Sequence, residues 1–254
     1  MGKKTAFVSA LGGQGCTVAA ACIGMAAASA GHSVTLVDAG GFGGTLADVL
    51  GVGEEIVMTL SDAACGECSP DEALIGCGEN LRLLPSGCFS EKTVSPCSAE
   101  FIAAVETLAA ESDVFADLPS GTVPDAGLAE CFDLFIVCAR PDRLSLKYSS
   151  ALCRHIRKVS AGSAASCEIR LLITRFHPDY MRLGGVSDLD ECIDTAGARL
   201  IGVLPQDHSV MEAVMSGKPP DAEDEFMRYA RDVASRIYGA RVPLDGLRPF
   251  RLGF

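Results

Sequence analysis

The feature that most constrains this chain is a glycine-rich loop set between a strand-like run and a helix-like run. Residues 5–9 (TAFVS) are short and mostly apolar, and Gly12, Gly13 and Gly15 follow at once. Residues 17–30 are Ala-rich with a helical pattern, and residues 34–38 (VTLVD) are strand-like again. A strand, a tight turn, a helix and a second strand make a βαβ unit, whose strands run parallel. The alternation continues along the chain. Strands are expected at 80–84, 114–117, 134–139, 169–174 and 200–204, and helices at 98–111, 142–159, 209–216 and 221–238. Residues 134–139 (LFIVCA) show no polar alternation, as expected of a strand covered on both faces. The expected fold is α/β, a doubly wound and mostly parallel sheet flanked by helices. Ligands of such sheets sit at the carboxyl ends of the strands, so the residues just after each strand are the candidates for chemistry.

Composition narrows the function classes. With 254 residues and 48% hydrophobic content, one sizeable core and a single domain over 1–254 are expected, with 240–254 as a tail. The stretch 65–97 is the least regular. A net charge of −12 argues against sequence-independent nucleic-acid binding, which needs a basic footprint. No run of about 18 apolar residues is present, so no spanning helix is expected. The Ala-rich stretch 18–30 follows a strand and a glycine loop, and is read as a buried helix rather than a signal segment. Among twelve cysteines, Cys22, Cys138, Cys153 and Cys192 fall inside apolar patterns, where cysteine acts as a small hydrophobe. Reduced thiols and a cytoplasmic location are expected. Cys65 and Cys68 form a single CxxC without a nearby second pair or histidine, a weak metal signal. Cys77, Cys88 and Cys97 are scattered after it.

Glycines in such a loop let backbone N–H groups approach phosphate oxygens, and the following helix start adds a favourable dipole. Gly12, Gly13, Gln14, Gly15, Cys16 and Thr17 are therefore the candidate phosphate-binding residues. A plain tight turn is the structural alternative. The segment Leu11-Gly12-Gly13-Gln14-Gly15-Cys16-Thr17 resembles the deviant Walker A loop of the MinD/ParA family of P-loop NTPases, K-G-G-x-G-K-[ST], with both lysines replaced. Leu11 stands at the signature lysine and Cys16 at the P-loop lysine. The likeness extends to Val37-Asp38-Ala39, where Gly40 replaces a second acid, and to Thr45-Leu46-Ala47-Asp48. It continues at 81–86 (LRLLPS), Asp117-Leu118-Pro119-Ser120-Gly121, Thr174-Arg175-Phe176 and Gly202-Val203-Leu204-Pro205-Gln206-Asp207.

The resemblance implies ATP or ADP with Mg²⁺ as the cofactor, held weakly. Thr17, Asp38 and Asp117 would face the metal, although a strand-end carboxylate that orients a loop and a helix N-terminal hydroxyl are the structural alternatives. A hydrogen bond to a charged group is worth about 1.5–3 kcal/mol, so two lost lysines lower affinity on the order of 10²–10⁴-fold. Efficient hydrolysis is not expected. Arg140, after the 134–139 strand, is a candidate replacement cation, with local pairing to Asp142 or Glu130 as the alternative. By the resemblance, the chain acts as a non-hydrolysing scaffold or regulator in cell division or spatial positioning. Its partner would be a protein, such as a true MinD/ParA-type ATPase or a division regulator. The tail 246–254 mixes apolar and basic residues and resembles a remnant of the family's membrane-targeting segment, although Pro243 and Pro249 work against a helix. A weak ATPase is the second reading. A cysteine-cluster redox protein is the third.

Overall fold

The computed structural model describes residues 1–40, 46–86, 94–161 and 167–244. Eight strands form one sheet: β1 (Lys4–Val8), β2 (Val34–Asp38), β3 (Ile75–Gly76), β4 (Leu81–Leu84), β5 (Asp113–Asp117), β6 (Leu134–Ala139), β7 (Glu168–Phe176) and β8 (Arg199–Pro205). Their spatial order is β3-β4-β2-β5-β1-β6-β7-β8. Every pairing is parallel except the short β3 edge, which runs antiparallel to β4.

Side chains of a strand alternate between faces, so a strand buried on both sides feeds two apolar layers. In β1, Phe7 joins one layer while Ala6 and Val8 join the other. In β6, Leu134, Ile136 and Cys138 take the first layer and Phe135, Val137 and Ala139 the second. This explains why LFIVCA carries no polar position.

The helices are α1 (Cys16–Ser29), α2 (Leu46–Leu50), α3 (Leu60–Ala64), α4 (Ala99–Leu108) and α5 (Ala126–Cys131). They continue as α6 (Arg143–Ser160), α7 (Pro178–Leu183), α8 (Leu189–Ala196), α9 (His208–Met215) and α10 (Glu225–Ile237). Helix α1 packs on the sheet and against α10 in the first layer. Its small residues allow close approach: a Cβ on Gly24 would lie 2.8 Å from Leu36 Cδ2.

Several expectations are adjusted. The helix expected at 221–238 starts at Glu225, because residues 221–224 form a turn closed by Asp224 N–H on the Asp221 carbonyl (3.1 Å). The helix expected at 98–111 ends at Leu108, with the Ser98 hydroxyl capping its start. The short helices α2, α3, α5, α7 and α8 and the β3 edge add to the expected elements. Thr45, Cys88 and the tail 246–254 lie outside the described residues. No helix among the described residues is long and apolar enough to cross a membrane.

Candidate functional site

Strand β1 sits at the point where the sheet order reverses, flanked by β5 and β6, and the glycine loop follows at its carboxyl end. The loop's neighbour is the segment after β5. Leu118 N–H donates to the Phe7 carbonyl (3.0 Å) and Gly121 N–H to the Ser9 carbonyl (2.8 Å). Gly13 (φ 71°) and Gly15 (φ 74°) both hold left-handed backbone that side chains rarely tolerate. Gly15 is the N-cap of α1, which has no side-chain cap and no acid in its first turn. Helices α3 to α9 each have a side-chain cap. The N–H groups at the start of α1 therefore keep the capacity to bind an anion.

Gln14 does not face the loop's ligand side. It is buried, and its Oε1 accepts from Arg140 N–H (2.8 Å) and the Ser145 hydroxyl (2.6 Å). The Thr174 hydroxyl is shared between the carbonyls of Gln14 and Ala139. Gln14 and Thr174 thus staple the loop to β6, β7 and the start of α6. The Thr174 hydroxyl is spent on this staple.

Asp38 and Asp117 are register partners at the ends of β2 and β5. Both Asp38 oxygens are engaged, accepting from Gly40 N–H (2.8 Å) and Leu46 N–H (2.9 Å). Burial outweighs those bonds and raises its carboxyl to about 6. Burial, together with the Asp38 charge, raises Asp117 to about 7, while the Thr17 hydroxyl and the Cys16 thiol pull it down. Asp117 Oδ1 has no hydrogen-bond partner among the described residues although Asp117 is only 6% exposed. A buried orphan oxygen beside a threonine hydroxyl is a donor set that fits Mg²⁺, a hard cation taking oxygen ligands. Thr17 and Asp117 would hold the ion, with Asp38, bonded to Gly40 and Leu46, beside them.

Cys16 is 8% exposed at the position of the P-loop lysine. The Cys138 thiol beside it, burial and the Asp117 charge together hold its thiol well above the ordinary value. The position therefore presents a neutral group where the resemblance implies a cation. Arg140 does not fill the deficit by itself, because its guanidinium pairs with Asp142 (3.3 Å) and its backbone is tied to Gln14.

Two clefts open beside Arg175. One, of about 190 Å³, is largely apolar and runs between Gly15, Val18, Leu204, Val210, Met211 and Phe226. The other, of about 450 Å³, lies between Arg140, Asp142, Tyr180, Leu183 and Gln206. Arg175 lines both. Sequence reasoning named Arg175 only within the Thr174-Arg175-Phe176 likeness and assigned it no role; its backbone conformation and its neighbours single it out. Cys65 is exposed and Cys68 half-buried. No group of three or more His, Cys, Asp or Glu suited to a metal occurs among the described residues.

Residues 5–220 match the CobQ/CobB/MinD/ParA nucleotide binding domain. The chain belongs to that family. Similar relatives in it include the septum site-determining protein MinD of Thermotoga maritima, 29% identical over 96% of this chain and 91% of the relative. The MinD of Bacillus subtilis is 28% identical over 97% and 93%. Among solved structures, the MinD cell division protein of Aquifex aeolicus superposes with a TM-score of 0.80 at 20% identity, over 95% of this chain and 99% of that one. MinD of Pyrococcus horikoshii complexed with Mg-ADP superposes at 0.79 and 21%, over 95% and 100%. The family's doubly wound P-loop fold is therefore the fold of this chain.

Proposed function

We propose that this chain is a non-hydrolysing MinD/ParA-type protein that works through protein contacts in the spatial placement of division or polar machinery. One observation carries the reading: the P-loop lysine position holds Cys16, a buried neutral thiol wedged against Asp117 and Cys138. Cationic stabilisation of a transferring phosphoryl group is worth about 10³–10⁵ in rate in related machinery. Gly40 removes a carboxylate from the same site. The loop geometry survives without its charge, so weakened phosphate binding is uncoupled from turnover. The process follows from the relatives, which are septum site-determining proteins. A protein partner has a precedent in the MinC:MinD complex of Aquifex aeolicus, whose MinD fold this chain shares.

A slow Mg²⁺-dependent ATPase is the second reading, favoured by the orphan Asp117 oxygen beside Thr17. Phosphate release from Mg-ATP by the purified chain separates the two. The proposal expects no release above a Thr17→Ala, Asp117→Asn background. Release well above it would remove the non-hydrolysing reading.

A further inference from the structure

The altered loop has a charge problem. Asp38 and Asp117 stand at its edge, and neither makes an ion pair among the described residues. Leu11 and Cys16 bring no charge, and Arg140 is already paired with Asp142. A phosphate-bearing ligand at this loop needs a cation from elsewhere.

Arg175 is in place for it. It follows Thr174 near the end of β7, where the β7–β8 register slips between Ile173 and Phe176. Its backbone is left-handed (φ 49°), one of two non-glycine residues with positive φ among those described. Such a conformation is costly for a side chain and persists where the surroundings enforce it. The outcome here is that the side chain crosses the last glycine of the loop. A Cβ on Gly15 would lie 3.6 Å from Arg175 Nε and 3.8 Å from its Cγ. These are ordinary contact distances, so the arginine packs directly over Gly15. Arg175 also forms part of the wall of both clefts. It makes no ion pair among the described residues, whereas Arg140, Arg170, Arg182 and Arg228 each hold a carboxylate. A second observation points to a ligand: Asp117 Oδ1, beside Cys16 and Thr17, is buried without a partner.

We propose that Arg175 is the phosphate-binding cation of this loop, delivered from β7 in place of the missing lysine, and that the ligand is a nucleoside polyphosphate. The inference rests on the part of that reading in which the loop still takes phosphate, and is independent of turnover. Arg175 reaches the loop at Gly15 and not from within α1, so it supplies binding charge from a different direction than the family's lysine. Arginine suits the task because its planar fork donates two parallel hydrogen bonds to phosphate oxygens.

The test is calorimetric titration of the full chain with pyrophosphate, Mg-ADP and adenosine, for the native protein and for Arg175→Ala, Arg175→Lys, Arg175→Gly and Arg140→Ala. Arg175→Ala is expected to weaken pyrophosphate and Mg-ADP about 10- to 100-fold and to leave adenosine unchanged. Arg175→Lys retains part of the affinity, and Arg140→Ala retains all of it. Arg175→Gly relieves the left-handed backbone and melts no lower than the native chain, yet loses phosphate affinity like the alanine variant. That separates lost charge from lost folding. Unchanged pyrophosphate affinity in Arg175→Gly, an equal loss for adenosine, or no pyrophosphate binding by the native chain would each overturn the assignment. Phosphate release measured on the same samples keeps the two ideas apart. Rapid turnover sinks the non-hydrolysing reading alone, and unchanged affinity sinks Arg175 alone.

Discussion

Asp38 and Asp117 face each other across the β2–β5 ladder as the last residues of their strands, and among the described residues no cation pairs with either. The arrangement places two buried carboxyls at the loop and raises both, Asp38 to about 6 and Asp117 to about 7, chiefly by burial.

A pH signature follows. The folded chain binds these protons more tightly than the unfolded chain, whose carboxyls titrate near 3.8. The stabilisation is complete below that value and is lost as pH rises through about 6 and then about 7. For Asp117 the loss is on the order of 2–4 kcal/mol at pH 8. Asp117→Asn keeps the shape without the charge. Urea unfolding at pH 5 and pH 8, without Mg²⁺, should show the stability of the variant relative to the native chain rising from pH 5 to pH 8. A native chain that gains stability relative to the variant from pH 5 to pH 8 would refute the pair's electrostatics.

The staple on the loop gives a second prediction. Thr174→Val removes the hydroxyl shared by the Gln14 and Ala139 carbonyls. Leaving buried acceptors unpaired costs about 1–3 kcal/mol. Amide exchange at residues 13–16 should quicken more than exchange in β6. Equal protection of residues 13–16 in the native chain and in Thr174→Val would mean that the loop is held by its backbone alone.

Much of this fold was legible because buried parallel strands write themselves as apolar runs. Residues 34–38 and 134–139 are strands with the expected bounds. The short helices were harder. Helix α8 did carry a signal, since Asp188 caps Glu191 N–H and Glu191 reaches back to Ser187 N–H. Its eight residues show too few turns for periodicity to stand out. Strand β3, two residues long, has no pattern at all. At the site, the loop and the strand-end aspartates were legible from their motifs. Three things were not: the Gln14 side chain turned inward, the Cys16–Cys138 contact, and Arg175 over Gly15. Each depends on residues distant in sequence meeting across the sheet edge.

Gly202 tests the packing account independently of the site. It belongs to the Gly202-Val203-Leu204-Pro205 segment, and a Cβ there would lie 2.4 Å from Val233 Cγ2 on α10. The β-branched valine has little freedom to move aside. Gly202→Ala should therefore destabilise by about 1–3 kcal/mol through overpacking. Thermal melts compared with Gly66→Ala separate this crowding from backbone strain, because Gly66 has positive φ and open space around it. A Gly202→Ala melting point equal to the native value would show that α10 docks more loosely than described.

The central claim is that the loop kept its shape and lost its charge. The most direct measurement is Mg-ATP binding by calorimetry to the native chain and to the Leu11→Lys, Cys16→Lys double variant. The account predicts weak native binding and a gain on the order of 10²–10⁴-fold in the double variant. Native binding as tight as that of the double variant would contradict it.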